Sequence, residues 1–334
     1  MFFILSSYLG IGICNQGADK PKCYFKQQMK TQDRRNFIKD MGMLAAAAGL
    51  GSVIPFDAIA LGKKEFFRIS LAEWSFNKAL FGGKMTNLEF PLKAKNDFGI
   101  NIVEYVSPFF NKKEKDASYL KELLTITKNE GIQNHLIMID GEGDLGDLDE
   151  KARTKAVENH YKWVDAAKTL GCLTIRVNAA GKGSEADVKT AVIDGLGRLT
   201  EYGKKNKINI IVENHGGYSS DGKWLSDVMK GVNSPYCGTL PDFGNFRISA
   251  ERQYDMYQGV QDLVPFAKGI SAKTFKFNEK GEEPDIDYTR MFKIIHDSGF
   301  RGIVGIEWEG DSLSEEEGIR KTKVLLERVL AQYK

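Results

Sequence analysis

The chain has 334 residues, of which 42% are hydrophobic and 28% charged, a composition typical of a globular protein with enough apolar material for a core. Its 47 basic and 45 acidic side chains leave a formal net charge of +2. No broad basic surface is expected from that balance, so the composition disfavours a protein that binds nucleic acid or an anionic membrane through charge.

The first sixty residues are predicted to form a leader that is not part of the fold. Residues 33–39 place two arginines before an aromatic and an apolar residue, which is the pattern of a twin-arginine export signal. An apolar run rich in alanine and glycine follows over residues 41–54, and residues 58–60 have the small-residue spacing of a cleavage site. The run is shorter than the roughly twenty residues of a spanning helix. We therefore predict a cleaved signal, a periplasmic mature protein and no stable membrane insertion.

Residues 1–28 do not fit this leader, because the charged region of an export signal lies near its start. Met29 is a more natural first residue. We expect residues 1–28 to be an over-extended gene start, residues 29–60 to be the signal peptide and residues 61–334 to be the mature domain.

From Phe66 onward, short apolar runs alternate with amphipathic stretches of helix length. The predicted strands are residues 67–74, 100–105, 132–139, 173–178, 208–213, 237–242, 269–277 and 302–307. The predicted helices are residues 87–98, 118–129, 150–170, 185–206, 223–232, 250–263, 287–298 and 314–332. Capping side chains and glycines mark several of the helix ends.

Eight strand–helix units in succession predict a parallel sheet covered by helices. Within roughly 250 residues they match the size of a (β/α)8 TIM barrel, whose active site lies at the carboxyl ends of the strands. The first strand is followed by neither a glycine-rich nucleotide-binding sequence nor a Walker loop, which disfavours a doubly wound fold. We predict a single barrel of the α/β class.

Several predicted strands end on a carboxylate, which would bring these side chains to one mouth of the barrel. They are Glu73, Glu104, Glu213, Asp242 and Glu307. Acidic groups this close repel one another unless a cation or a shared proton balances them. Salt bridges to Arg176, Lys273 or Arg247 are the structural alternative. With His215 two residues after Glu213, a metal or acid–base site is the favoured interpretation, and the oxygen-rich set suits Mn²⁺, Mg²⁺ or Co²⁺ better than a structural zinc.

Three strand-end sequences resemble the xylose isomerase-like barrels, a family of sugar isomerases and epimerases whose fold is shared with endonuclease IV. They are residues 212–217 (VENHGG), 241–246 (PDFGNF) and 305–310 (GIEWEG). The order of these motifs and of the strands agrees over essentially the whole mature chain. The resemblance implies that Glu213, Asp242 and Glu307 bind one divalent metal (Mn, Co, Mg or Zn). It also implies that the two glutamates exchange protons with a sugar carbon.

Two positions depart from the pattern that the resemblance implies. A metal-binding histidine is expected near Ser271 on strand seven, and another histidine is common in relatives where this chain has Asn245. Three hypotheses follow: His215 or water fills the gap, the metal binds weakly, or Lys273 occupies the site as a permanent cation. Lys273 itself is either a catalytic residue or a rim lysine paired with Asp242. With 4 histidines in the chain, a histidine-rich zinc nuclease site is disfavoured.

The resemblance also suggests side chains that would contact a sugar. Aromatic faces suit the apolar C–H face of a sugar ring, and polar side chains on strand four suit its hydroxyls. The predicted substrate-binding residues are Glu73, Trp74, Glu104, His135, Arg176, Asn178, His215, Asn245 and Trp308. For the tryptophans the alternative is ordinary packing, and for His135 it is a histidine satisfied inside the core.

The chemistry expected of such a site is proton transfer next to a carbonyl. A metal that chelates a carbonyl and the adjacent hydroxyl acidifies the neighbouring C–H, and Glu213 and Glu307 would move the proton, giving epimerisation or isomerisation. The same deprotonation of a 3-keto-glycoside would expel the substituent at C1, which is a lyase or hydrolase reaction. A third hypothesis is a carbohydrate-binding barrel with a degenerate metal site. The expected partner is a small carbohydrate, and a homo-oligomer formed through outer helices is possible.

Overall fold

The computed structural model describes residues 66–333, so the predicted leader lies outside the described part of the chain. The eight strands are β1 (Phe67–Ala72), β2 (Ile102–Val106), β3 (Gln133–Met138), β4 (Thr174–Val177), β5 (Asn209–Glu213), β6 (Cys237–Leu240), β7 (Ile270–Thr274) and β8 (Gly302–Trp308). The helices that follow them are α1 (Phe90–Phe98), α2 (Ala117–Asn129), α3 (Glu150–Leu170), α4 (Glu185–Asn206), α5 (Gly222–Val232), α6 (Met256–Leu263), α7 (Tyr288–Asp297) and α8 (Glu315–Leu330). A short helix, Asn77–Phe81, precedes α1.

All the strands run parallel in the order β6-β5-β4-β3-β2-β1-β8-β7. The remaining gap between β6 and β7 is bridged where Asp242 pairs with Ser271 and Thr239 pairs with Ala267. There the amide of Ser271 donates to the carbonyl of Pro241 at 2.9 Å. The sheet therefore closes into a barrel surrounded by helices, and the predicted (β/α)8 fold is confirmed.

The helices begin where capping side chains satisfy their first free amides. Asp149 accepts from the amide of Ala152 at the start of α3, and Ser184 accepts from the amide of Asp187 at the start of α4. Gly171 ends α3 in the left-handed conformation, with φ 76°, which costs glycine little. These signals are local in sequence, and the predicted bounds of α3 and α4 match the observed ones. None of the helices between residues 66 and 333 has both the length and the hydropathy of a membrane span.

Several predicted bounds differ from the structure. The helix predicted from residue 87 begins at Phe90, and the strand predicted to residue 277 ends at Thr274. Two further differences bear on the site. The first strand ends at Ala72, because Glu73 begins a turn of 3-10 helix, Glu73–Phe76. The helix predicted over residues 250–263 begins only at Met256, where Asp255 caps it by accepting from the amide of Gln258. The residues before it form a loop pinned by an antiparallel bridge between Arg247 and Gln253.

Alternate strand residues point to opposite sides of the sheet, and this separates two apolar clusters. The larger cluster fills the layer between the strands and the outer helices. The smaller one lies inside the barrel and consists of Ala72, Val106, Phe109, Leu136, Met138, Ile211 and Leu240. Polar side chains occupy the other inward positions toward the carboxyl ends of the strands, so the barrel is apolar in its outer layer and polar at its mouth.

Candidate active site

Three buried carboxylates meet at the mouth of the barrel. Glu213 is the last residue of β5, Asp242 follows β6, and Glu307 lies near the end of β8. They are 1%, 0% and 4% exposed. One oxygen from each lies within 4.8 Å of the others, an arrangement that could hold a metal ion. We call these three residues the carboxylate cluster.

Arg176 on β4 holds one edge of the carboxylate cluster. Its Nε is 2.9 Å from Oε2 of Glu213, and its Nη1 donates to Oδ1 of Asp140 at 3.0 Å. Asn178, two residues further on, donates to the same Asp140 oxygen at 2.8 Å. The guanidinium therefore fixes Glu213 and links it to a second acidic side chain at the rim.

Asp242 is fixed by the backbone of its own loop. Its Oδ1 accepts from the amides of Gly244 at 2.8 Å and Asn245 at 2.9 Å. Asn214 ties the loop to β5, because it donates to the carbonyl of Asp242 and accepts from its amide. Asn245 completes the link by donating its side-chain amide to Glu213 at 3.2 Å. The two carboxylates are therefore rigidly placed.

Lys273, an inward-facing residue of β7, is buried in the carboxylate cluster. Its side chain is 2% exposed, and its Nζ lies 3.8 Å from Asp242, 3.7 Å from Glu307 and 3.2 Å from Glu309. The ammonium also donates to the side-chain oxygen of Asn245 at 3.3 Å. The pairing with Asp242 that the sequence suggested is present, but the lysine lies inside the barrel and not at its rim.

Ser271 stands on β7 where the family resemblance implies a histidine ligand. Its Oγ is 2.6 Å from Oδ2 of Asp242 and 2.7 Å from Oε2 of Glu307. A hydroxyl has a single proton to donate. Both contacts are hydrogen bonds only when one of the two carboxyls is itself protonated and donates to the serine. Ser271 therefore joins two members of the carboxylate cluster through a proton.

Burial raises the pKa of the acids around this point. The pKa of Glu213 rises to about 7, because desolvation outweighs the opposing charge of Arg176. That of Asp242 rises to about 8 for the same reason, with Lys273 opposing the rise. At Lys273 burial acts in the other direction and lowers the pKa of the ammonium. The charges of the surrounding acids outweigh it, so the pKa of Lys273 is raised as well. Without another cation, Glu213 and Asp242 therefore hold a proton more readily than ordinary carboxyls do.

The donor chemistry of the carboxylate cluster fits a divalent metal. Carboxylate oxygens are the ligands that Mg²⁺ and Mn²⁺ prefer, and zinc also accepts them. Between residues 66 and 333 these three acids form the one group with suitable spacing, and His215 is not part of it. His215 is exposed, and its ring faces the cavity at the barrel mouth. The predicted ligands Glu213, Asp242 and Glu307 thus come together without the fourth.

A cavity of about 60 Å³ reaches the carboxylate cluster at Glu307, the one member of the cluster that lines it. It is lined by Trp74, Val106, Met138, Asp140, Arg176, His215, Glu307 and Glu309. Trp74 closes one side, where its indole nitrogen donates to Glu309 at 2.5 Å. Trp74, Arg176 and His215 were predicted to lie at this mouth, and the structure brings them together.

Sequence reasoning missed two acidic residues of this cavity. Asp140 is the first carboxylate after the apolar run of strand three, so the signal that singled out Glu213 was present there too. Glu309 lies two residues after Glu307, and in an extended chain residues two apart point to the same side. The spacing therefore indicated that Glu309 faces the mouth as Glu307 does.

Trp308 was predicted to contact substrate, and the structure places it elsewhere. Successive strand residues face opposite sides, so Trp308 points outward while Glu307 points inward. The indole is 1% exposed and stacks on Phe277, with 5.9 Å between the ring centroids. It also packs against Gly318 of α8, where an added Cβ would lie 2.2 Å from the ring. Trp308 is a core residue.

Three further predicted substrate contacts lie below or outside the cavity. Glu73 is buried and accepts from the amide of Val106 at 2.9 Å, because its strand ends one residue earlier. Glu104 lies inside the barrel and accepts from Ser70 at 2.6 Å. His135 is 3% exposed, and burial lowers its pKa to about 4, so the ring is a neutral core side chain. None of the three lines the cavity at the barrel mouth.

A wider groove of about 490 Å³ adjoins the cavity and shares His215 with it. It is lined by Ala179, Ala180, Gly181, His215, Gly216, Gly217, Tyr218, Ile248, Ser249 and Arg252. Arg252 is held in place by Asp221, whose Oδ2 accepts from its Nη2 at 2.7 Å. The groove follows the loops after β4, β5 and β6, so it lies on the same face as the carboxylate cluster.

Comparison with known proteins identifies the class to which this fold and site belong. Residues 92–328 match the xylose isomerase-like TIM barrel family, and the chain belongs to that family. No curated protein matches the chain in sequence.

Solved structures of similar fold include sugar-converting enzymes. The IOLI protein with a bound zinc atom is 17% identical with a TM-score of 0.62, over 80% of this chain and 99% of that one. D-psicose 3-epimerase in the presence of D-fructose is 13% identical with a TM-score of 0.56, over 79% and 99%. The 3-keto-D-glucoside 4-epimerase YcjR from E. coli is 13% identical with a TM-score of 0.56, over 79% and 100%. At these identities the likeness concerns the fold.

Proposed function

We propose that this protein is an exported enzyme that moves a proton on a carbohydrate, and in the simplest case a sugar isomerase or epimerase. The observation that carries the proposal is the meeting of Glu213 and Glu307 with Asp242 within 4.8 Å beside a small polar cavity. Two of the solved relatives are named as sugar epimerases, which supports a carbohydrate substrate.

Glu213, Asp242 and Glu307 are the residues that would hold a divalent metal, which when bound supplies polarisation of a sugar carbonyl and so acidifies the neighbouring C–H. The residues of the chain perform the proton transfer itself. Glu213 is the carboxyl that would accept the proton and return it, and burial raises its pKa above the ordinary range in the metal-free cluster. Arg176 forms an ion pair with one of its oxygens and Asn245 donates a hydrogen bond to the other, which restricts its orientation.

Glu307 would act from the other side of the same carbon. Return of the proton to that carbon from the opposite face gives an epimer, and return to the adjacent carbon gives an isomer. Trp74 offers an aromatic face to the C–H side of the sugar, and Asp140 and Glu309 offer acceptors to its hydroxyls. Asn178 would reach the substrate only through Asp140, to which it donates.

A second candidate, a keto-glycoside lyase or hydrolase, is favoured by the groove next to His215. A free hexose has no second group to occupy a space of about 490 Å³ beside the cavity, whereas a glycoside does. Loss of the C2 proton of a 3-keto-glycoside would break the C1–O bond, and the leaving group would depart along this groove with a proton. The base would again be Glu213 or Glu307.

The test is to incubate the purified protein with ketohexoses, aldohexoses and 3-keto-glycosides in D₂O and to measure deuterium in substrate and products by mass spectrometry. Epimerisation and isomerisation return a proton from solvent to carbon and so introduce a carbon-bound deuterium. Elimination from a 3-keto-glycoside removes the C2 proton, places no deuterium on carbon and releases the C1 substituent, which the same spectra detect. Wild-type protein is expected to give one of these two signals, and the signal that appears separates the two candidates.

Glu213→Gln is expected to lower this exchange by about 10²- to 10⁴-fold while sugar binding, followed by calorimetry, is retained, because an amide keeps the shape but cannot accept the proton. Glu142→Gln is the matched control, since Glu142 lies outside the cavity and pairs with Lys162 at 2.8 Å. Sugar binding by wild-type protein with neither deuterium exchange nor release of a C1 substituent from any of the three classes would contradict an enzyme and support the binding-only barrel.

A further inference from the structure

The ammonium of Lys273 lies among the acids of the carboxylate cluster, where its positive charge offsets theirs. Its Nζ lies within 4.0 Å of Asp242, Glu307 and Glu309, and its side chain is 2% exposed. The alkyl chain is confined by Gly244, since an added Cβ at that glycine would lie 3.1 Å from Cδ of the lysine. The lysine side chain is therefore packed against the loop after β6, and its ammonium is shielded from solvent.

The charges around it are unbalanced. Two cations, Arg176 and Lys273, face five carboxylates at this point, namely Asp140, Glu213, Asp242, Glu307 and Glu309. Arg176 is committed to Glu213 and Asp140. Among residues 66–333, Lys273 is the one cation paired with Asp242 and Glu307, which are two of the three acids that could hold a metal.

The position at which the resemblance implies a fourth metal ligand, Ser271, lies on the same strand as Lys273. Ser271 and Lys273 are both inward-facing residues of β7, and Ser271 already occupies one oxygen each of Asp242 and Glu307. The remaining Glu307 oxygen lies 3.7 Å from the lysine, and the other Asp242 oxygen accepts two backbone amides. A metal at this cluster would therefore have to displace existing partners and would lie next to a fixed positive charge.

We propose that Lys273 is the resident cation of the carboxylate cluster and sets its metal affinity, so that the cluster is assembled without a metal and binds a divalent ion only weakly. The proposal rests on the function assigned above to the same cluster. Like charges a few ångströms apart in a buried site repel strongly, so the ammonium and a divalent ion compete for the same acids. Lys273 acts here as a positioning residue that orients Asp242 and Glu307.

The experiment is a titration of the purified, chelator-treated protein with Mn²⁺ alone, with free Mn²⁺ counted by electron paramagnetic resonance. Lys273→Met keeps the length of the side chain and removes its charge. We expect this variant to bind one Mn²⁺ at least about tenfold more tightly than wild-type protein does. Lys273→Arg, which restores the charge, is expected to return the affinity toward the wild-type value.

Lys276→Met is the matched control, because Lys276 follows the same strand but is 50% exposed and paired with Asp285 at 2.8 Å. It should bind Mn²⁺ as wild-type protein does. If Lys273→Met does not fold, Lys273→Gln takes its place, since the amide keeps a donor for Asn245 and Glu309. Equal Mn²⁺ affinity in wild-type protein and the neutral variant would overturn the proposal.

A wild-type protein that retains one tightly bound divalent ion per chain through purification without chelators would also overturn it, whatever the variants show. Failure here is distinguishable from failure of the proposed function. Mn²⁺ affinity is measurable whether or not a sugar substrate is found, and deuterium exchange is measurable whether or not the protein binds metal.

Discussion

Glu104 shows how strongly a single position can be shaped by burial. The carboxyl is 1% exposed and accepts from Ser70 at 2.6 Å, and it fits in the barrel only because Gly305 opposite has no Cβ, which would lie 2.8 Å from its oxygen. Burial raises the pKa of Glu104 to about 8, with smaller contributions from the charges of Glu307 and Glu213. The folded protein therefore holds this group as a neutral acid at neutral pH.

This raised pKa predicts a loss of stability as the pH rises. Between the ordinary pKa of 4.5 in the unfolded chain and about 8 in the folded protein, the folded state binds more protons, so folding is favoured at low pH and the advantage disappears as the pH rises. In chelator-treated protein, Glu104→Gln should match wild type near pH 5 and be more stable by up to roughly 4 kcal/mol near pH 9. Urea unfolding at the two pH values measures the difference.

Glu122→Gln on α2 provides the comparison, because that residue is exposed and distant from the barrel interior. As a surface substitution it should change the free energy of unfolding by less than about 0.5 kcal/mol. A Glu104→Gln variant that is no more stable than wild type at pH 9 would mean that Glu104 is ionised in the folded protein.

At the scale of elements, β8 and α8 show how the alternation of side chains along a strand separates a site residue from a core residue. β8 sends Glu307 into the barrel and Trp308 outward, where the indole needs a position on α8 without a side chain. Gly318 supplies it: an added Cβ would lie 2.2 Å from the indole ring. Packing of α8 on β8 therefore depends on this glycine.

Gly318→Ala is expected to destabilise the protein by about 1 to 3 kcal/mol, because the overpacking outweighs the better helix propensity of alanine. Thermal unfolding measures the change. Gly197→Ala in α4 is the control, since nothing lies within 4 Å of an added Cβ there, and it should stabilise by roughly 0.5 to 1 kcal/mol. A Gly318→Ala protein as stable as Gly197→Ala would show that α8 does not rest on Trp308 as described.

At the scale of the whole molecule, the prediction to test is export, which the sequence assigns to a twin-arginine signal over residues 29–60. Changing Arg34 and Arg35 together to lysine should retain the protein in the cytoplasm at its uncleaved size, because the pathway reads the arginine pair itself. Cell fractionation followed by mass spectrometry of the intact chain measures both. Lys30→Arg should leave export unchanged, and equal export of the double variant and wild type would contradict a twin-arginine signal.

The sequence alone determined the architecture. Eight apolar runs separated by amphipathic stretches predict alternating strands and helices, because side-chain period and capping are local properties of the chain. The strands and helices follow in the predicted order, and the bounds of α3 and α4 were predicted to the residue. The sequence also brought Glu213, Asp242 and Glu307 to one mouth, since the carboxyl ends of parallel strands share one end of a barrel.

Only the tertiary structure decided which other side chains meet them. Glu73 leaves the mouth because β1 ends at Ala72, before it. The outward position of Trp308, in contrast, follows from strand alternation once Glu307 points inward, so the sequence already contained that signal. Asp140 carried the same strand-end signal as the others, but its pairing with Arg176 across neighbouring strands is a contact between residues distant in sequence. The depth of Lys273 likewise depends on Gly244 and on the closure of β6 onto β7. Local patterns fix elements, whereas the partners of a buried charge are set by the register of strands far apart in the chain.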